Sequence, residues 1–193
     1  MLHNKYFQIL EKFTGNYNRE IYGRQLINKT NLSQKNIALV LQDLENLSIL
    51  KSKVMGKMKF YSLNLSYQSI KDILIMIELI KKTEFLSKYI KLASIFKEDS
   101  RIVGIFGSYA KETQTKFSDL DVFIVGSKTK NDYEEKGKVF DVNVSIKYFK
   151  ENEFLNLLKK KNNLIKEIIE NHIILFNTEK FVNLIWRDYY GYS

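Results

Sequence analysis

Two aspartates, Asp119 and Asp121, stand two residues apart at the head of an apolar run that ends at Val125. On a strand, residues i and i+2 leave the same face, so both carboxylates point one way. Like charges held that close repel, and a cation between them relieves the repulsion. Hard oxygen ligands on a rigid strand suit Mg²⁺, which fills its other positions with water and nucleotide phosphates. Upstream, Gly107-Ser108 interrupts the chain directly after another apolar run, Arg101 to Phe106. Gly107 lets a phosphate come close to the backbone, and Ser108 at a helix start offers a hydroxyl and N–H groups. A phosphate cradle and a metal-binding pair together are the minimum equipment for nucleotidyl transfer.

The elements that must hold these groups are a buried strand, a glycine turn with a short polar segment, and a second strand. The block from Gly107-Ser108 through Tyr109-Ala110 to Ser118-Asp119-Leu120-Asp121 resembles the signature of the polymerase-beta-like nucleotidyltransferases, in particular the minimal ones of prokaryotes. In that signature Gly-Ser and a short helix are followed by Ser-Asp-x-Asp opening an apolar strand. One departure is that Lys111-Glu112-Thr113 stands where the family often has Arg-Gly-Glu, so the local turn lacks its glycine. The resemblance covers the C-terminal half of the chain and implies a small mixed sheet flanked by helices. It further implies Mg²⁺ (or Mn²⁺) and ATP or another nucleoside triphosphate. Asp119 and Asp121 would then be catalytic metal ligands, with Gly107, Ser108 and Lys111 on the nucleotide.

The same resemblance asks for a third acid on a neighbouring strand, about 4.8 Å away across the ladder. After a polar loop, Ser127 to Gly137, residues Val139 to Lys147 alternate. Phe140, Val142, Val144 and Ile146 fall on one face; Val139, Asp141, Asn143 and Ser145 fall on the other. A hairpin closed symmetrically over the loop brings Asp141 or Asn143 alongside Asp121. Asp141 is the expected third acid, as a metal ligand and as base for the attacking hydroxyl. The alternative is Asn143. Relatives that carry a helix-turn-helix tend to have a Val-Asn pair where others have the third aspartate, and Val142-Asn143 matches that version. An amide binds a metal less strongly and is a poor base, so activity would then be weak or absent.

The N-terminal third reads differently. Leu2, Tyr6, Ile9, Leu10 and Phe13 repeat at helical spacing, and that helix stops near Thr14-Gly15-Asn16. Arg24 to Lys29 reads as a second short helix. Ser33 caps a third from Gln34 to Glu45, with Ile37, Val40, Leu41 and Leu44 as its apolar stripe. Ile49 to Val54 and Lys59 to Leu63 read as a β-hairpin around Met55-Gly56-Lys57. Residues 1–66 hold ten basic and four acidic side chains, which is +6 of the chain's net +9. Such a concentration points to a polyanionic partner. Three helices and a basic hairpin resemble the winged helix-turn-helix of prokaryotic DNA-binding regulators. The resemblance implies base-edge or phosphate contacts from Gln34, Lys35 and Asn36 and phosphate contacts from Lys51, Lys53, Lys57 and Lys59.

Between these parts, Tyr67 to Lys97 lacks glycine and proline. As one helix it would span about 45 Å, with Thr83 the place for a break. It reads either as a connector or as the seam of a homodimer, since winged helices bind paired half-sites. The fold class is therefore α+β: a winged helix-turn-helix over 1–66, a connecting helix over 67–97 and a nucleotidyltransferase domain over 98–193. Downstream, Glu153 to Lys160 and Leu164 to Glu170 read as helices, His172 to Phe176 as a strand and Glu179 to Tyr190 as a last helix. His172 reads as a core residue, and Trp186, Tyr189 and Tyr190 as helix packing or as the border of a nucleotide base.

Composition excludes other classes. The chain of 193 residues has no cysteine, so disulfides and cysteine zinc sites are ruled out, and His3 and His172 supply the imidazoles. No stretch approaches the roughly 20 apolar residues of a membrane span. No leader pattern opens the sequence, so a cytoplasmic protein is expected. Two function classes follow: a Mg²⁺-dependent nucleotidyltransferase coupled to a DNA-binding domain, or a DNA-binding regulator whose transferase domain senses nucleotide or has lost catalysis. A third reading, again from the resemblance, is an antitoxin whose partner is a HEPN-type RNase toxin.

Overall fold

Apolar residues at helical spacing build the N-terminal elements around one core. The computed structural model describes residues 5–129 and 133–192, so Leu2 and His3 lie outside the described residues. Helix α1 (Lys5–Thr14) buries Phe7, Ile9, Leu10 and Phe13. A two-residue strand, β1 (Ile21–Tyr22), then leads into a single 3-10 turn, Gly23–Leu26. That turn replaces the second helix expected over Arg24 to Lys29. Its one buried anchor, Leu26, gains too little from burial to carry a longer helix past the cost of nucleation.

Helix α2 (Gln34–Asn46) begins where Ser33 caps it; the Ser33 hydroxyl oxygen accepts from the Asn36 N–H at 3.3 Å. Such a cap contributes about 1 kcal/mol. Ile37, Val40, Leu41 and Leu44 are buried as the stripe requires. Strands β2 (Leu50–Met55) and β3 (Met58–Leu63) form the expected hairpin, extended by one residue on each side of the turn. The turn is Gly56-Lys57, and Gly56 takes φ 60°, a value a side chain would resist. β1 pairs with the other edge of β3, giving the order β1-β3-β2.

Helix α3 (Ile70–Lys88) is followed by α4 (Ile90–Ile95) rather than running on to Lys97. The break falls at Tyr89, not near Thr83, and Tyr89 takes φ −116° and ψ 65°. Its ring is held by Phe85 at 4.8 Å and Tyr109 at 5.7 Å between centroids. Tertiary ring packing sets this break, and no glycine or proline marks it. The chain divides into two compact units, Met1–Ile77 and Glu78–Ser193, and the division falls inside α3.

The second unit is built on a four-stranded mixed sheet. β4 (Ile102–Ile105) leads through a one-turn helix α5 (Gly107–Ala110) to β5 (Leu120–Val125). Helix α6 (Tyr133–Val139) then crosses to β6 (Val144–Phe149). Helices α7 (Glu151–Lys159) and α8 (Asn163–Glu170), strand β7 (Ile173–Phe176) and helix α9 (Thr178–Leu184) complete it. The order is β6-β5-β4-β7, with β5 and β6 parallel and the other pairs antiparallel. The hairpin expected after β5 is therefore corrected: parallel neighbours need a crossover, and α6 supplies it. Residues Val139 to Phe140 end that helix and turn, so β6 starts later than the alternation from Val139 suggested.

One face of the sheet buries Val103, Ile105, Leu120, Val122 and Ile124 against Phe85, Leu92, Ile95 and Tyr133. The other carries an aromatic stack in which Phe123 lies 6.4 Å from Phe154 and 5.9 Å from Phe181. A π-helical turn, Ile185–Tyr189, buries Trp186 beside Tyr192, in keeping with a packing role for that residue. A buried charge cluster joins α3 to the start of β7. Glu78, 1% exposed, lies 2.8 Å from the Lys81 ammonium and 3.2 Å from His172 Nε2. His172 Nδ1 lies 2.9 Å from the carbonyls of both Ile168 and Ile169, so an N–H at that nitrogen donates to them. His172 is a core residue, as the sequence suggested. Among the described residues, no helix is long and apolar enough to cross a membrane.

Candidate active site

The end of β4 and the start of β5 are stitched together where the sequence placed its chemistry. The Phe106 N–H donates to the Asp121 carbonyl at 3.0 Å. Gly107 follows with φ 69°, and its backbone lies directly against the Asp121 side chain. A Cβ built there would overlap Asp121 Oδ2 and stand 3.1 Å from Cγ. Glycine is required twice at this position, by its backbone angle and by the carboxylate packed on it. Ser108 is half-buried in the first turn of α5, and its carbonyl accepts from the Thr113 N–H at 3.0 Å. The turn after α5 keeps its left-handed corner without a glycine, because Glu112 itself adopts φ 57°.

A pinned turn then delivers the acidic pair. The Thr115 N–H donates to the Ser118 hydroxyl at 2.8 Å, and the Ser118 N–H to the Thr115 carbonyl at 3.1 Å. Asp119 is exposed, Leu120 is buried and Asp121 is half-buried, so the strand turns both carboxylates away from the Leu120 side. Burial raises the pKa of Asp121 above its ordinary value, and the Asp119 and Glu167 carboxylates raise it further. Lys147 and Lys111 oppose that rise. A carboxylate short of compensating charge is a place where a cation is stabilised.

The partner strand brings an amide to this pair. In the parallel register Asp121 lies level with Ser145, and the Leu120 N–H donates to the Asn143 carbonyl at 2.8 Å. The Asn143 side-chain N–H donates to Asp119 Oδ1 at 2.7 Å. Asp141 lies before β6 in an exposed turn with φ 57°, outside the ladder that flanks Asp121. Extending the register places it level with Phe117 rather than with either aspartate. Among the described residues, no group of three or more His, Cys, Asp or Glu side chains is placed to hold a metal ion. The geometry thus gathers Asp119, Asp121 and Asn143. The expectation that Asp141 sits beside Asp121 is corrected, and the parallel crossover is the reason.

Lys111 caps α5 and ion-pairs with Glu167 of α8 at 2.6 Å. Glu167 and Lys147 were not singled out in the sequence. Glu167 lies on a helix whose apolar stripe carries no catalytic pattern, and Lys147 is one lysine in a lysine-rich chain. Two carboxylates side by side suit a hard divalent cation that completes its shell with water and phosphate.

In the N-terminal unit, Gln34, Lys35 and Asn36 are all exposed on the first turn of α2. The hairpin lysines do not share one surface. Lys59 faces α2 and bonds Glu45 at 2.6 Å, whereas Lys53 points the other way and pairs with Glu20 at 2.6 Å. Lys51 is exposed on the same side as Lys53, and Lys57 sits in the turn.

No curated protein and no solved structure matches the chain. Residues 90–181, which hold the glycine turn, the acidic pair and Asn143, match the family model described as Polymerase beta, Nucleotidyltransferase, and this part of the chain is a polymerase beta nucleotidyltransferase domain.

Proposed function

We propose that this domain transfers a nucleoside monophosphate from a nucleoside triphosphate, with ATP the first to test, to an acceptor hydroxyl. The observation that carries the reading is the contact of the Gly107 backbone with the Asp121 carboxylate, which sets a phosphate-accepting turn and an acidic pair side by side. Asp119 and Asp121 would hold Mg²⁺ or Mn²⁺, with Asn143 as a neutral neighbour. Such an ion, when bound, neutralises charge on the transferring phosphoryl group. Gly107 has no side chain to hold a phosphate off the backbone, and Ser108 adds a hydroxyl beside it. Asn143 fixes the orientation of the Asp119 carboxylate through its amide N–H. The ammonium of Lys111 would have to leave Glu167 to reach a phosphate.

Asn143 also favours a second reading, in which the domain binds nucleotide without turning it over. An amide cannot accept a proton from an attacking hydroxyl, so a site with Asn143 in the third position lacks a base there. Titration calorimetry with ATP and Mg²⁺ tests the shared part of both readings. Binding should weaken at least tenfold in Asp119→Asn/Asp121→Asn, and unchanged affinity in that variant would refute the site. Pyrophosphate release in the presence of hydroxyl acceptors (small alcohols, nucleic-acid ends and tyrosine-bearing protein) separates the two: the transferase reading expects release by the wild-type chain and faster release by Asn143→Asp. Binding with no release from either protein leaves the sensor.

For the N-terminal unit, we propose a winged helix-turn-helix that docks on duplex DNA. Support comes from the order helix, strand, turn, helix, hairpin, with β1 closing the sheet, and from the exposed Gln34, Lys35 and Asn36 at the leading end of α2.

A further inference from the structure

The outer face of the N-terminal sheet carries aromatic and methionine side chains that duplex docking through the leading turn of α2 does not use. Residues alternate across a strand, so the buried Leu50, Tyr61 and Leu63 define the inner side. The register then aligns Tyr22, Phe60 and Lys53 as direct neighbours across β1, β3 and β2 on the opposite side. Met55 and Met58 face each other on that same side and are 52% and 47% exposed. Tyr22 and Phe60 are half-buried and meet edge to face with ring centroids 5.5 Å apart. Lys51, exposed, lies along the strand from Lys53.

Two aromatic rings, two methionines and two lysines on one open sheet face are matched by a polyanion with flat apolar parts. A duplex does not fit that description, because its bases stack on one another and present only edges and phosphates. Unpaired bases can lie on aromatic rings while neighbouring phosphates meet lysines, and this is how open sheets hold single strands. Glu20, the acid on this face, is already paired with Lys53 at 2.6 Å; a phosphate arriving at Lys53 would displace it.

The geometry points to this face as a binding surface for single-stranded nucleic acid. Tyr22 and Phe60 are the stacking platforms, Met55 and Met58 extend the apolar contact, and Lys51 and Lys53 take the phosphates. The inference stands apart from duplex docking by α2, so either can fail alone.

The test uses the full chain and a fluorescent 15-nucleotide oligothymidylate, which has no self-pairing, followed by anisotropy at several salt concentrations. Wild-type protein should bind it. Tyr22→Leu and Phe60→Leu keep an apolar side chain, and each should weaken binding about tenfold, the loss of one base–aromatic stack. Lys51→Ala, on an exposed lysine outside the Lys53–Glu20 pair, should reduce the salt dependence by about 0.7 of slope. Binding of the matching duplex should be unaffected by the two leucine variants. No binding of the oligothymidylate, or equal binding by wild type and both leucine variants, overturns the proposal. So does a concentration-dependent self-association that the leucine variants abolish, since the face would then join two copies of the chain. Thermal unfolding of each variant confirms that a loss of binding is not a loss of fold.

Discussion

Glu112 occupies the left-handed region at φ 57° in the corner that closes α5, only a few residues from the acidic pair. For a residue with a Cβ that conformation costs about 1 kcal/mol or more, and glycine adopts it freely. The side chain offers little in return. Its carboxylate pairs with Lys88 at 2.8 Å, but the two side chains are 69% and 50% exposed, and pairs of that kind contribute little. Glu112→Gly should therefore raise the thermal midpoint by about 3 °C, corresponding to about 1 kcal/mol, measured by circular dichroism. A midpoint that stays or falls would show that the Glu112 side chain stabilises the corner in a way its contacts do not explain. The same corner shows what a sequence can and cannot say at this scale. The missing glycine was visible beside Lys111; that the chain keeps the turn and tolerates the strain was not. Asp141 is the converse case. Its type suited a metal, but its backbone lies in a left-handed turn outside the strand, which no alternation of side chains announces.

Among the elements, α3 carries the least expected energetics, because it buries a carboxylate. The ammonium of Lys81 and the imidazole of His172 hold Glu78 at a pKa of about 2, against 4.5 ordinarily, although burial alone would raise it. A depressed carboxylate contributes stability that is complete above its unfolded value and is lost as pH falls through the folded one. The window is thus pH 4.5 down to about 2, and the stake is about 3 kcal/mol. Glu78→Gln leaves the largely buried Lys81 ammonium without its counter-charge, so it should destabilise the second unit by about 3 kcal/mol at neutral pH. It should also flatten the acid limb of stability between those limits. Urea unfolding across pH 2 to 7 checks both, and an unchanged acid limb in the variant would remove Glu78 from the account. Elements with strong local signals were legible in the sequence: the stripe of α2 with its Ser33 cap, the glycine turn of the hairpin, and the apolar runs of β4 and β5. The rest depended on contacts distant in sequence. A polar segment with weak periodicity hid α6, and with it the parallel pairing of β5 and β6. The break at Tyr89 depends on rings from α3 and α5 meeting in the fold.

On the scale of the whole molecule, charge is the property that the two units do not share evenly. Residues 1–66 hold +6 of the net +9, yet the structure divides their lysines by what they already hold. Lys53 and Lys59 are engaged with Glu20 and Glu45 at 2.6 Å each, so a phosphate gains from them only after breaking an ion pair. Lys35 at the head of α2 and Lys57 in the hairpin turn are both exposed, and a duplex reaching the leading turn of α2 and the hairpin tip would draw on these two. Each phosphate neutralised by a protein cation releases condensed counterions and steepens the dependence of affinity on salt by about 0.9. Lys35→Ala/Lys57→Ala should therefore lower the slope of log affinity against log salt by about 2 for any duplex, measured by gel shift or anisotropy. Lys59→Ala should lower it by much less, since Glu45 already neutralises that charge. Equal loss from Lys59→Ala and from Lys57→Ala would mean that the Glu45 pair opens on binding. A slope unchanged in the double variant would take the duplex off the leading turn of α2 and the hairpin tip.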